Sequence, residues 1–166
     1  MTDAESPLEE HFAKYEPAIA GLGRALRARL RARLPGLFEV VYLYERQHAL
    51  LISYSPTERG YEGVCSIALY PDRAQLGFPR GALLSKSDPT GLLQGRGPGV
   101  RHVVLHSVEE FDRPEIEALI AASLKLAKVN VDAGAKGAVV DRAESQKRRA
   151  RRAKRAVRPA SPRRKG

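Results

Sequence analysis

The chain has 166 residues, with 29 Lys or Arg against 19 Asp or Glu, one Cys and no Trp. A chain of this length buries one sizeable core and seldom two, the lone Cys65 excludes an intramolecular disulfide, and no apolar run approaches the ~18 residues that span a bilayer. The charge is segregated: from Arg142 onward there are twelve basic residues and one acidic residue, Glu144, so that this segment carries +11 and residues 1–141 carry −1.

The opening stretch MTDAESPLEEHF is acidic and lacks the basic and apolar regions of a signal peptide, so a reducing, cytoplasmic setting is expected. Ser6, Pro7 and Glu9 have the form of a capped helix start, predicting a short helix to about Lys14. A second helix is predicted from Glu16-Pro17, because Ile19, Leu22, Leu26, Leu30 and Leu34 recur at three- and four-residue spacing until Pro35-Gly36 stops them. It also carries Arg24, Arg27, Arg29, Arg31 and Arg33, whose simplest role is a solvated face with stems lying over apolar surface.

Runs rich in β-branched and aromatic residues predict strands over Leu37–Tyr44, Ala49–Tyr54, Gly63–Tyr70 and Arg73–Phe78, with a type I turn at Pro71-Asp72 joining the last two. In the third run Cys65, Ile67 and Leu69 share one face, which helices are expected to cover, while Ser66, Ala68 and Tyr70 share the other. A Gly- and Pro-rich loop precedes a fifth strand over Val100–Leu105. Asp112 as N-cap with Glu115 at the third helical position then predicts a helix to about Lys128, its buried stripe being Ile116, Leu119, Ile120, Ser123 and Ala127. The division expected is a folded domain over residues 1–131, a linker over 132–141 and a disordered polybasic tail over 142–166.

The segments PGLFEVVYLY, ISYSPTERG, CSIALYP, LGFPRGALL, DPTGLLQGRG, VRHVVL and DRPEIEALIAAS follow one another in an order that resembles the YdhG-like family, over about Lys14 to Ala127. The resemblance implies an α+β fold, with an antiparallel sheet of about five strands and helices packed on one face. Some members of that family are frataxin-like, which implies an intracellular iron chaperone as an alternative function. Frataxin-like iron binding is associated with clustered carboxylates on an early helix, and the long helix here displays arginines instead.

Candidate sites are few. His102 and His106 fall on one face of a strand but ~13 Å apart, too far to share an ion, and His11 and His48 lack a ligand pattern, so no metal and no cofactor are expected. Gly95-Arg96-Gly97-Pro98-Gly99 leads into a strand rather than a helix, which excludes a dinucleotide or P-loop reading. Arg80, Gln94, Arg96, Arg101 and His102 gather near that loop as a candidate site for a small anion, phosphate or carboxylate. No catalytic residue is singled out; an enzyme acting on a small anionic ligand stands as a further alternative. The tail residues Lys147, Arg148, Arg149, Arg151, Arg152, Lys154 and Arg155 suit a polyanion such as nucleic acid, or an acidic protein, bound by counterion release without sequence readout. The tail has no aromatic residue to stack on bases, and Pro159 and Pro162 limit any helix its alanines permit. The expected function is therefore a non-catalytic binding or accessory module with a polybasic extension.

Overall fold

The structure is a computed structural model that describes residues 5–135 and 137–156. Helix α1 (Glu5–Phe12) leads into α2 (Pro17–Arg33), where Glu16 takes the extended conformation that a following proline imposes and Pro17 opens the helix. Gly36, at φ +86°, turns the chain into strand β1 (Phe38–Tyr44). Antiparallel neighbours β2 (Ala49–Ser55), β3 (Cys65–Tyr70), β4 (Arg73–Phe78) and β5 (Arg101–Leu105) follow in sequence order. A one-turn helix α3 (Val108–Phe111), not expected from sequence, precedes the longer α4 (Pro114–Ala127), which is. Among the described residues no helix is long and apolar enough to cross a membrane.

The α+β architecture is as expected, but the sheet is mixed and has six strands in the order β5-β4-β3-β2-β1-β6 rather than five antiparallel ones. The sixth, β6 (Val139–Asp141), comes from the stretch expected to be a linker, and it runs parallel to β1, with Glu39, Val40 and Val41 opposite Val139, Val140 and Asp141. Its two adjacent valines suit a strand, and Gly137 packs directly on the Leu37 backbone before them. Residues Ala143–Ala156 then form helix α5, where a disordered tail is expected from sequence. Residues 157–166, the rest of that tail, lie outside the described residues.

Two cap expectations are also corrected. Glu9 does not close a box on Ser6, since α1 is already helical at Glu5 and the Glu9 carboxylate accepts from Arg24 Nε at 3.0 Å. Pro114 is the first residue of α4 and holds Arg113, not Asp112, in the extended cap position. Asp112 instead ends α3 and takes a bidentate pair from Arg29. The one-turn helix has its own cap, the Ser107 hydroxyl accepting from the Glu110 amide.

Strand alternation assigns the two sheet faces. Val41, Leu50, Ile52, Cys65, Ile67, Leu69, Leu76, Phe78, Val103 and Leu105 point to one side, where Leu8, Phe12, Leu26, Leu30, Ile116, Leu119 and Ile120 of the helices meet them in a single core. Ser123 of α4 fastens to this core by donating to the Val64 carbonyl at 2.7 Å. The opposite side carries Tyr42, Leu51, Ser53, Ser66, Ala68, Gln75 and His102, and the loop of residues 56–62 folds back over part of it.

Two glycines of α2 test this packing. Gly21 is exposed with open space where a Cβ would stand, so Gly21→Ala should stabilise the chain by about 1 kcal/mol through helix propensity. At Gly23 a Cβ would lie 2.6 Å from Leu69 Cδ1 and 3.0 Å from Phe12 Cε1, so Gly23→Ala should lose about 1–2 kcal/mol despite the same propensity gain. Urea unfolding of the two variants decides it; equal gains at both positions would contradict the packing of α2 on β3.

Candidate functional site

The loop around Gly95 is built largely from its own hydrogen bonds. Gln94 and His102 exchange backbone bonds at 2.8 and 2.9 Å, forming a bridge that closes the loop onto the start of β5. Arg101 turns its guanidinium inward, Nη1 donating to the Val100 carbonyl at 2.9 Å and Nη2 to the Gly97 carbonyl at 2.8 Å, with its stem against Gly81. Arg80 and Arg96 are exposed. The structure thus brings Gln94, Arg101 and His102 together but commits Arg101 to the loop's carbonyls, and the Asp88 carboxylate pins the preceding segment by accepting from the Leu92 and Leu93 amides. His102 lies half-buried on the open face, and burial first, the Arg73 charge second, lowers its pKa from 6.5.

The arginines of α2 do more than cover apolar surface. Arg24 pairs with Glu9, Arg29 with Asp112, and Arg33 with Glu117. Arg27 makes a bidentate bond to Glu39 at 2.9 and 3.1 Å in a nearly dry setting, side-chain exposures being 12% and 6%, and Arg31 approaches the same carboxylate at 3.5 Å. Glu9 of α1, Glu39 of β1, Asp112 before α4 and Glu117 of α4 are therefore occupied by guanidinium groups. Among the described residues no group of three or more His, Cys, Asp or Glu is placed to hold a metal ion.

Among the described residues the densest run of exposed cations is in α5, and its attachment is specific. Because β6 is only three residues long, the β1 amide of Leu43 has no strand partner on that side; the Gln146 side chain supplies Oε1 to it at 2.9 Å. Asp141 bridges two elements, Oδ2 lying 3.3 Å from His11 Nε2 of α1 while Oδ1 accepts from the Ala143 amide at the start of α5. Arg142 adds a backbone bond to Val41 and a side-chain bond to the Glu58 carbonyl. Ala143, Gln146 and Ala150 line a concavity with Leu43, Tyr44 and Glu45, so the helix turns its small side chains toward the body. Arg148, Arg149, Arg151, Arg152, Lys154 and Arg155 are all exposed. Lys147 belongs to the same helix.

Two clefts flank this region. One, of about 390 Å³, lies between α1 and the ends of β1 and β2 and is lined by His11, Tyr15, Tyr44 and His48 among others. Tyr15 donates to the His48 carbonyl across it, and burial raises the Tyr15 phenol pKa, keeping that donor protonated. The other, of about 280 Å³, is lined by Tyr42, Glu58, Arg59, Tyr61, Arg142, Gln146 and Arg149.

Comparison of the chain with protein-family models, with curated proteins and with solved structures gives no match in any of the three. Sequence reasoning missed the anchor of α5 and the company of tyrosines beside it. The signals were present: Val139-Val140 as a strand, Asp141 ahead of a helix start, and Ala143, Gln146, Ala150 and Ala153 at helical spacing within a run of cations.

The lowered His102 pKa has a sign that can be checked. Since its folded value lies below its unfolded one, the stability it contributes is complete above the unfolded value and is lost as pH falls through the folded value. The His102 ring protons should titrate below pH 6.5 by NMR, and His102→Asn should make thermal stability less sensitive to acidification between about pH 7 and pH 5. A midpoint at or above the ordinary value would contradict the burial described for this ring.

Proposed function

We propose that this chain is a small, non-catalytic, YdhG-like binding module that attaches to polyanions, nucleic acid foremost, through α5. The observation that carries the reading is one helix bearing six exposed cations, fixed at its N-terminal end to the sheet edge. Arg148, Arg151, Arg152 and Arg155 fall at i, i+3, i+4 and i+7, within about 100° of one another around the helix. Like charges at that spacing repel and weaken a free helix. Phosphates laid along the stripe would relieve the repulsion, so binding and helix stability reinforce each other.

The rest of the molecule sharpens the contrast. Residues 1–141 carry a net charge of −1, and the arginines of α2 are already paired with carboxylates. Attraction to a phosphate backbone thus comes almost wholly from the C-terminal segment, and contact is to phosphates rather than base edges, which makes binding to mixed duplex sequences uniform.

The test is fluorescence anisotropy of the full chain on labelled duplex DNA over a range of salt. With about six phosphate contacts, the log–log slope should be near −5. Replacing Arg148, Arg151, Arg152 and Arg155 together by Ala, which preserves helix propensity, should weaken binding by orders of magnitude and reduce the slope to about −2. Retention of affinity and slope by the fourfold variant would sink the reading.

A further inference from the structure

Beside α5 the structure assembles what the basic segment lacks on its own, an aromatic surface. Tyr42 comes from the open face of β1, Tyr61 from the loop of residues 56–62, Arg142 from the link between β6 and α5, and Arg149 from α5, around one cleft of about 280 Å³. That volume is just below the range of about 300–1,000 Å³ usual for small-ligand clefts, the scale of a single base and not of a duplex. Tyr61 is 74% exposed, an unusual position for a large ring.

The loop that presents Tyr61 is fixed rather than trailing. Ser53 donates to the Gly60 carbonyl at 2.7 Å, Ser55 to the Arg59 carbonyl at 2.8 Å, and the Gly60 amide donates to the Tyr42 hydroxyl at 3.2 Å. Gly60 lies so close on Tyr42 that an added Cβ would stand 2.4 Å from the ring. Arg142 Nη2 donates to the Glu58 carbonyl, tying the same loop to the start of α5. A platform held in this manner stacks a ligand ring with little further ordering.

We infer that this cleft takes an unstacked base of single-stranded nucleic acid, with Tyr61 stacking on the base and Arg59, Arg142 and Arg149 facing the flanking phosphates. The inference rests on the polyanion reading above and adds the substrate class to it. Every base has a π face, so stacking on Tyr61 is sequence-tolerant, whereas in a duplex the faces are covered by neighbouring bases. Arg59 is two-thirds exposed and only loosely held, 3.9 Å from Glu62, which leaves its guanidinium available. Glu58 also lines the cleft, and its negative charge repels a phosphate, which favours the base at that wall.

The experiment compares a short labelled oligo(dT) with duplex DNA, using the full chain and three variants. Tyr61→Ala should weaken oligo(dT) binding about tenfold and leave duplex binding and both salt slopes unchanged, because no cation is removed. Tyr61→Phe keeps the ring and should bind both ligands as the parent does. Since Tyr61 is exposed, circular dichroism and melting should be the same for the parent chain and the two Tyr61 variants. Equal effects of Tyr61→Ala on both ligands, or none on oligo(dT), would overturn the inference while leaving the polyanion reading intact. If the fourfold arginine variant of α5 still binds both ligands, it is the polyanion reading that fails. Poly-glutamate competing with oligo(dT) as well as nucleic acid of equal charge does would assign the surface to an acidic protein instead, and overturn the inference as well.

Discussion

Glu39 sits on the core side of the sheet, and α2 lies where Arg27 can reach it. A carboxylate taken out of water costs several kcal/mol unless its lone pairs are filled. Here Arg27 fills two directions, the Tyr54 hydroxyl donates a third bond at 2.9 Å, and Arg31 stands one turn beyond Arg27. Burial, and next the neighbouring carboxylate, raise the Tyr54 phenol pKa well above its ordinary value, so that ring remains a donor. Leu26 and Leu30 flank Arg27 in sequence and are buried in the core, so one rotation of the helix satisfies both the charge and the apolar contacts. Removing Arg27 would leave the buried Glu39 carboxylate to the Tyr54 hydroxyl and the more distant Arg31, which fill fewer of its lone pairs, and a buried charge short of partners is the costly case.

The other arginines follow from that rotation. Arg24, Arg29 and Arg33 reach Glu9, Asp112 and Glu117 on the neighbouring elements, but these pairs are exposed and each contributes at most about 1 kcal/mol. Their larger consequence is electrostatic. With those pairs made, residues 1–141 carry a net charge of −1, and the positive excess of the molecule lies in residues 142–166.

The parts of the fold legible in sequence are those with a local cause. Alternation gave the strands and their faces, the leucine spacing gave α2, and Pro71-Asp72 gave the hairpin, all of which are local signals. What sequence could not disclose depends on distant partners. Nothing near Asp112 says that Arg29 will claim its carboxylate, and nothing near Gln146 says that the Leu43 amide will need an acceptor. Three residues, Val139–Asp141, are too few for periodicity, yet β1 offers them an open edge. The same holds for the proposed site. Arg142 and Arg149 stand out in a charge run, but Tyr42 and Tyr61 lie about a hundred residues earlier, and only the sheet brings them together.

An exposed sheet edge is a hazard that proteins usually cover. Here the cover is β6 for part of β1 and the Gln146 side chain for the next amide, so the cationic helix begins at the point where the edge needs it. Its direction is set at its first turn by Asp141, Arg142 and Gln146, while its later residues are exposed. At about 1.5 Å per residue, fourteen residues make a rod of about 21 Å, the length over which one strand of a duplex presents about six phosphates. A flexible tail of equal charge could meet those phosphates in any arrangement. On the proposed function, a rod anchored beside Tyr61 would present its cations in one arrangement, and a strand laid along it would pass the aromatic cleft at the anchored end.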